Sequence, residues 1–473
     1  MSPVTRRQFL KRAGGGVAAL VVGSQLQWVL DSPFFAAAQV HTLDLHITDA
    51  MKQMVTHNSI NNARCYFWIF RSEQPNLPPE CPGPIIFATQ GDTINITLTN
   101  NLDEEHAFFI PGIVNTGPIP PNGGVFTGAF TVPTAGAFLY YDNLNSPVNR
   151  MMGLHGALIV MPAAPALGHK FTPYSSPTAS VQKLFDDFGS APYFPGLAWE
   201  QGDSNPASFV PPFRTYVWLT HQASPVLFQE VGSLPAGQNY NSQQFVNAFL
   251  RDPFSPTPNG SRLPQYFTIN GQSGHFAHMS PFITPQLRVG EPCVVHILNA
   301  GLWTHSMHLH ANHFYVTSVN GVVQANPLWL DVFQAAPLDL VDYVIPFVRP
   351  PDVPNVRGIG LLDAPLTSLA NPLIVGSTPH PVWPPTEELN MSIPPVGTTQ
   401  GGIDISVQLS PLCYPMHDHS EPSQTAQGGN YNLGLIAGMN ITGDRTTPGG
   451  VTTFPHAPDM FPPNQTGPAA PLF

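Results

Sequence analysis

Six histidines crowd into two short stretches of this 473-residue chain, and their spacing suits them to hold a metal ion. The first stretch runs His305-Ser306-Met307-His308-Leu309-His310-Ala311-Asn312-His313, the second Tyr414-Pro415-Met416-His417-Asp418-His419. On an extended strand, side chains two residues apart share a face. His308 and His310 therefore point one way, as do His417 and His419. Where two such strands are neighbours, four ring nitrogens converge on one patch. Neutral imidazole suits copper, zinc, iron and nickel, and an all-histidine set without thiolate narrows the field to copper or zinc. A solitary His-x-His pair is usually two partly buried side chains. Two pairs in one segment, the first preceded by His305, point instead to a metal site of His308, His310, His417 and His419. His305 and His313 read equally well as further ligands or as ordinary core or surface residues.

Strands must position these residues, and the chain has strand signals throughout. Thr93-Ile94-Asn95-Ile96-Thr97-Leu98-Thr99 alternates strictly, the mark of a half-buried strand. Ala137 to Tyr141 and Gly156 to Met161 read as two more, the latter apolar enough to be buried on both sides. A second set comprises Thr215–Thr220, Tyr266–Gly271, Cys293–Leu298, His313–Val316 and Leu433–Ile441. Between the sets, residues 166–210 read as a linker rich in Pro, Ser and Ala. A Pro-rich insertion near 349–402 reads as a surface excursion, and 446–473 as a loose tail. The expected architecture is all-β, with one sandwich over 39–165 and another over 211–445. Three sandwiches with a degenerate middle one is the alternative.

Composition agrees. Pro (55) and Gly (40) make up about a fifth of the chain and charged residues only 10%, while 42% is hydrophobic. That is too apolar for a disordered chain and too rich in proline for a helical bundle. Residues 1–38 read as an export signal: Thr5-Arg6-Arg7-Gln8-Phe9-Leu10-Lys11 is a twin-arginine pattern, followed by a weakly apolar run and Ala36-Ala37-Ala38 as a cleavage site. The expected location is periplasmic or extracellular. Removing that segment leaves 13 basic and 28 acidic residues, a balance unsuited to nucleic acid or an anionic membrane. Four cysteines allow three disulfide connectivities, and pairing within each sandwich (Cys65–Cys81, Cys293–Cys413) is the favoured one.

The motifs resemble those of two-domain multicopper oxidases. The run 305–316 resembles the His-x-x-His-x-His signature that opens that family's C-terminal copper cluster, and Tyr414–Ser420 lies where the family has His-Cys-His. Gly136–Tyr141 and Gly153–Val160 resemble the strand pair around its other His-x-His motif. The resemblance implies tandem cupredoxin-like Greek-key sandwiches, copper, a small reductant substrate with oxygen, and a homotrimer that shares the cluster between subunits. His106 would then reach in from the first sandwich as a fifth ligand.

This chain departs from that family pattern in both halves. Asp418 replaces the cysteine that binds the blue copper, and a carboxylate cannot supply a thiolate's spectrum or potential. Asp418 is expected to face the interior, satisfied by His305 or backbone donors. In the first sandwich, Phe108, Tyr141 and Asn143 stand where the family has copper-binding histidines. The expectation is thus a reduced site of one or two coppers, without a blue copper, in an oxidoreductase. The alternatives are a non-catalytic copper-binding protein and a metal-free structural one. Copper nitrite reductase, also two-domain, is a poorer match because its blue site would fall at Asp142.

Overall fold

The computed structural model describes residues 38–54, 63–72, 82–188, 211–251, 266–287, 292–310, 313–346, 412–420 and 435–441, with Ser423 and three two-residue strands besides. Most of residues 1–38, the Pro-rich insertion and the tail lie outside the described residues. So does Cys81.

Four sheets stack to form two sandwiches. In the first, a four-stranded sheet ordered Ala63–Ser72, Val40–Met54, Thr93–Asn100, Gly124–Thr131 faces a sheet containing Ile86–Thr89, His155–Met161 and Gly136–Tyr141. The alternating segment behaves as its pattern requires: Ile94, Ile96 and Leu98 are buried, while the threonines between them are not. In the second, a seven-stranded sheet centred on Arg214–Ala223, Cys293–Asn299 and Leu340–Ile345 faces a five-stranded one. The five-stranded order is Gln286–Leu287, Ile436–Ile441, Leu412–Asp418, His305–Leu309, Val332–Ala335.

The sandwiches are fused through their inner sheets, which explains why certain strands carry no polar face. His155–Met161 is buried at every position. Leu158 and Val160 enter the first core, while Ala157 and Ile159 pack with Val217, Leu219 and Leu298 of the second sandwich. Arg214–Ala223 mirrors this, sending Trp218 into its own core and Val217 and Leu219 across the joint. A strand buried on both faces reads as a continuous apolar run, as predicted for 156–161.

Three expectations are refined. Asn270-Gly271 is a turn, not strand: both residues take positive φ (50° and 72°) and reverse the chain into Gln272–Ser273. Within the expected linker, Ala179–Asp187 is a helix capped by Thr178, whose side chain accepts a hydrogen bond from Val181 N. Its Val181, Leu184 and Phe185 pack with Val294, Tyr315 and Val344, covering part of the seven-stranded sheet. The helices Pro225–Gly232 and Phe245–Phe249, downstream of the first strand of the second sandwich, put Leu227, Phe228 and Phe249 into the core of the first. Among the cysteines, Cys293 is a free thiol buried among core side chains, so the Cys293–Cys413 pairing does not form.

Candidate metal centre

The two histidine motifs lie on adjacent antiparallel strands of the five-stranded sheet, with His308 directly opposite His417. Alternation sends His305, Met307 and Leu309 into the core and leaves His308 and His310 on the other face. The partner strand does the same: Met416 and Asp418 point inward, His417 and His419 outward. Four imidazoles consequently meet. Ring centroids are 4.9 Å apart for His308–His310, 5.4 Å for His308–His417, 5.1 Å for His308–His419 and 5.3 Å for His417–His419. His310 Nε2 lies 2.8 Å from His417 Nε2. The ligand atoms of His308, His417 and His419 all fall within 4.8 Å of one another.

Second partners set the rings for ligation. His308 Nδ1 donates to the Asp331 carbonyl at 3.0 Å, and His417 Nδ1 to the Asp418 carbonyl at 3.1 Å. A proton held on Nδ1 leaves Nε2 as a lone pair, the tautomer that a metal requires. The Asp331 carboxylate stands 3.7 Å from the same His308 nitrogen. Burial first, then the neighbouring imidazoles, holds His310 and His417 below the usual histidine pKa, so both stay neutral at pH 7. His417 is buried, His308 half-buried, and His310 and His419 exposed. With bonds of about 2.0–2.1 Å, two nitrogens can share an ion when no more than about 4 Å apart. The 2.8 Å pair meets that limit, and the 4.8 Å set needs less than about an ångström of closure. The donor set fits a borderline cation that prefers imidazole.

The remaining sequence candidates lie elsewhere. His305 and Asp418 form a closed core network: His305 Nδ1 donates to Asp418 Oδ2 at 2.6 Å, and Gln222 Nε2 lies 2.7 Å from His305 Nε2. Ser306 N and Ser420 N donate to Asp418 Oδ1 at 2.7 and 3.0 Å. Both carboxylate oxygens are therefore used, as expected for an inward Asp418. Met439 is buried in the same core. His313 stacks on Trp329 with centroids 5.4 Å apart. His106 is not brought to the cluster: its fully buried ring sits in the first sandwich, Nδ1 bonded to Asp142 Oδ2 at 2.7 Å. Phe108 has joined an aromatic core with Phe70 and Tyr140, at 5.5 and 5.0 Å.

Removing the Asp418 carboxylate would strand one buried imidazole N–H and two backbone N–H groups. Asp418→Ala is expected to cost about 3–5 kcal/mol, read as a lower denaturant midpoint. Asp418→Asn, which retains one acceptor oxygen, should cost less.

Four stacked β sheets, with an imidazole cluster on an outer one, make the architecture one of tandem cupredoxin-like sandwiches. A multicopper oxidase family model matches residues 77–165, within the first sandwich. No curated protein sequence matches the chain. Among solved structures, the chain is similar to the blue copper oxidase from Nitrosomonas europaea, at 15% identity, covering 85% of this chain and 86% of that one with a TM-score of 0.48. It is also similar to the copper nitrite reductase from Nitrosomonas europaea, at 14% identity, 86% and 95% coverage and a TM-score of 0.43. Likenesses this loose carry no argument about chemistry.

Sequence reasoning missed Asp331 and Gln222, which orient His308 and His305. Both lie far from their partners along the chain, and neither belongs to a short motif.

Proposed function

We propose that the chain is an exported copper-dependent oxidoreductase whose metal is held by His308, His310, His417 and His419, without a blue copper. The observation that carries this reading is the meeting of two His-x-His pairs across one strand register, with Nδ1 of His308 and His417 already committed to carbonyls. Copper would supply one-electron chemistry between a small reductant and oxygen. The side chains would hold the ion neutral-ligated at pH 7, orient it through Asp331 and the Asp418 carbonyl, and leave the His310 and His419 side open to a small reductant. Residues 77–165, which match the multicopper oxidase family, support copper over zinc. With Asp418 bonded in the core where that family has its cysteine, the proposed site would lack the thiolate that makes an electron-accepting blue copper.

Metal analysis and electron paramagnetic resonance of the isolated protein test this directly. One or two coppers per chain with nitrogen couplings, and no intense visible band, are expected. Turnover of a phenolic dye should be weak, because electrons must come from a reductant bound beside the cluster. Zinc as isolated, or laccase-like dye turnover, would overturn the assignment. A copper-buffering role is the second reading, favoured by the exposure of His310 and His419. Anaerobic Cu(I) titration, followed by exposure of the loaded protein to oxygen or nitrite with a reductant, separates them: tight binding without consumption of either means buffering.

Export by the twin-arginine route rests on Arg6-Arg7 and the segment that follows. Replacing both arginines with lysine should retain the full-length precursor in the cytoplasm. Release of the mature chain despite that change would refute the route. A homotrimer remains part of this proposal, with light scattering as its check. Among the described residues no helix is long and apolar enough to cross a membrane.

A further inference from the structure

The expected export leader ends at Ala38, and the residue that follows it already belongs to the fold. Ala38 is exposed and Gln39 half-buried. Gln39 O accepts from Thr93 N at 2.8 Å, where the strand Val40–Met54 begins to pair with Thr93–Asn100. Gln39 N donates to Asp92 Oδ1 at 2.8 Å. Asp92 is only 2% exposed, and its Oδ2 accepts from Thr89 N at 2.8 Å and from His41 Nε2 at 3.1 Å.

Two backbone N–H groups ask only for a neutral acceptor. A buried carboxylate is a costly way to provide one unless a positive charge accompanies it. Among the described residues, the side chain bonded to Asp92 is that of His41, with no lysine or arginine beside it. An imidazole is not a fixed cation near neutral pH. Cleavage after Ala38 supplies one. It converts the Gln39 amide nitrogen into an α-ammonium on the atom that already stands 2.8 Å from Asp92 Oδ1.

We propose that Asp92 is the binding site for the α-ammonium of the processed chain, so that leader removal completes a buried ion pair where Val40–Met54 enters the first sandwich. The proposal rests on reading residues 1–38 as a leader, and not on the copper assignment. It also has a chemical consequence. An N-terminal glutamine ordinarily closes on itself: its α-nitrogen attacks the side-chain amide carbon, a C–N bond forms and ammonia leaves. That attack needs a nitrogen lone pair, which an α-ammonium held by Asp92 does not offer. Gln39 should therefore stay open.

The test uses the protein exported with its own leader, its N-terminus read by mass. The mature chain should start at Gln39 with a free α-amine and no loss of ammonia. It is then labelled with an amine-reactive ester. An opposite charge at this distance raises the pKa of an amine by about one pH unit or more, and each unit leaves tenfold less neutral amine. Labelling of Gln39 at pH 7 should thus be at least about 10-fold slower than in Asp92→Asn, which keeps an acceptor oxygen for Thr89 and whose fold is checked by thermal melting. In the unmodified protein the midpoint of labelling against pH should stand about one unit or more above the ordinary α-amine value of about 7.7–8.0. Where Asp92→Asn does not fold, that midpoint decides alone. An amine that is merely shielded would label slowly in both proteins with an ordinary midpoint, which would overturn the proposal. So would a lactam at Gln39 or a start at another residue. An uncleaved precursor would refute the leader reading and this binding site with it, whereas a start at Gln39 with ordinary reactivity refutes the binding site alone.

Discussion

A chain carrying both His308→Gln and His417→Gln is expected to lose the copper of the outer-sheet cluster, with affinity there falling at least about 100-fold. Losing a group that merely orients a ligand already costs about 10–100-fold, and here two ligands go together. These residues face each other across the strand pair, so removing both eliminates the centre of the four-ring arrangement. The fold should persist, because the register is held by backbone bonds and by the inward Met307, Leu309 and Met416. His313→Gln is the matched control. That ring stacks on Trp329, and its loss should leave copper content unchanged. The measurement is metal content per chain after dialysis, with thermal melting to show retained structure. Full copper occupancy in the double variant would eliminate the cluster as the binding site.

Acid is expected to weaken the joint between the sandwiches as pH falls below about 6.5. His155 and His221 are buried there with ring centroids 4.5 Å apart. His155 Nδ1 donates to the Arg150 carbonyl at 3.1 Å, and His221 Nε2 to the Met151 carbonyl at 3.0 Å. Arg150 itself donates to the carbonyls of Ala300 and Gly301 across the joint. Burial pushes His155 down to about 3, opposed by its carbonyl bond and reinforced by the Arg150 charge. Burial also pushes His221 well down, reinforced by His155, Arg150 and Lys52.

In the unfolded chain both rings take a proton near pH 6.5; in the folded chain they do not. Stability supplied by the neutral pair is thus complete above pH 6.5 and falls as pH drops toward about 3. Each group can contribute a slope of about 1.4 kcal/mol per pH unit, so the pair can account for up to about 5 kcal/mol between pH 6.5 and 4.5. Denaturant midpoints of the metal-free protein at pH 7, 5.5 and 4.5 read this out. His310 and His417 shift in the same direction, so the comparison protein is His155→Gln with His221→Gln, which retains them. Its slope should be visibly flatter. A wild-type midpoint that does not move over that window would contradict the account.

Much of this was legible before any coordinates. The alternation of Thr93–Thr99 announced which residues would be buried, and the unbroken apolar run from Gly156 to Met161 announced a strand covered on both faces. The inward, fully bonded Asp418 followed from its place between two histidines that face outward. The helix Ala179–Asp187 was hidden because Pro, Ser and Ala around it read as linker, while its apolar residues acquire meaning only against Val294, Tyr315 and Val344. The same holds for Leu227 and Phe228, which complete a core belonging to the other half of the chain. Asn270-Gly271 continues an apolar run, yet its positive φ angles make it a turn.

What the sequence determined alone is local: the period-two placement of His308, His310, His417 and His419 on outward faces, and the absence of a cysteine between the last two. Both follow from residue type and strand geometry within a few positions. The tertiary structure decided that His308 lies opposite His417, that Asp418 meets His305 from 113 positions away, and that His106 turns into the first sandwich beside Asp142. Those outcomes depend on strand register and on how sheets stack, and both are set by packing between residues that no local pattern connects.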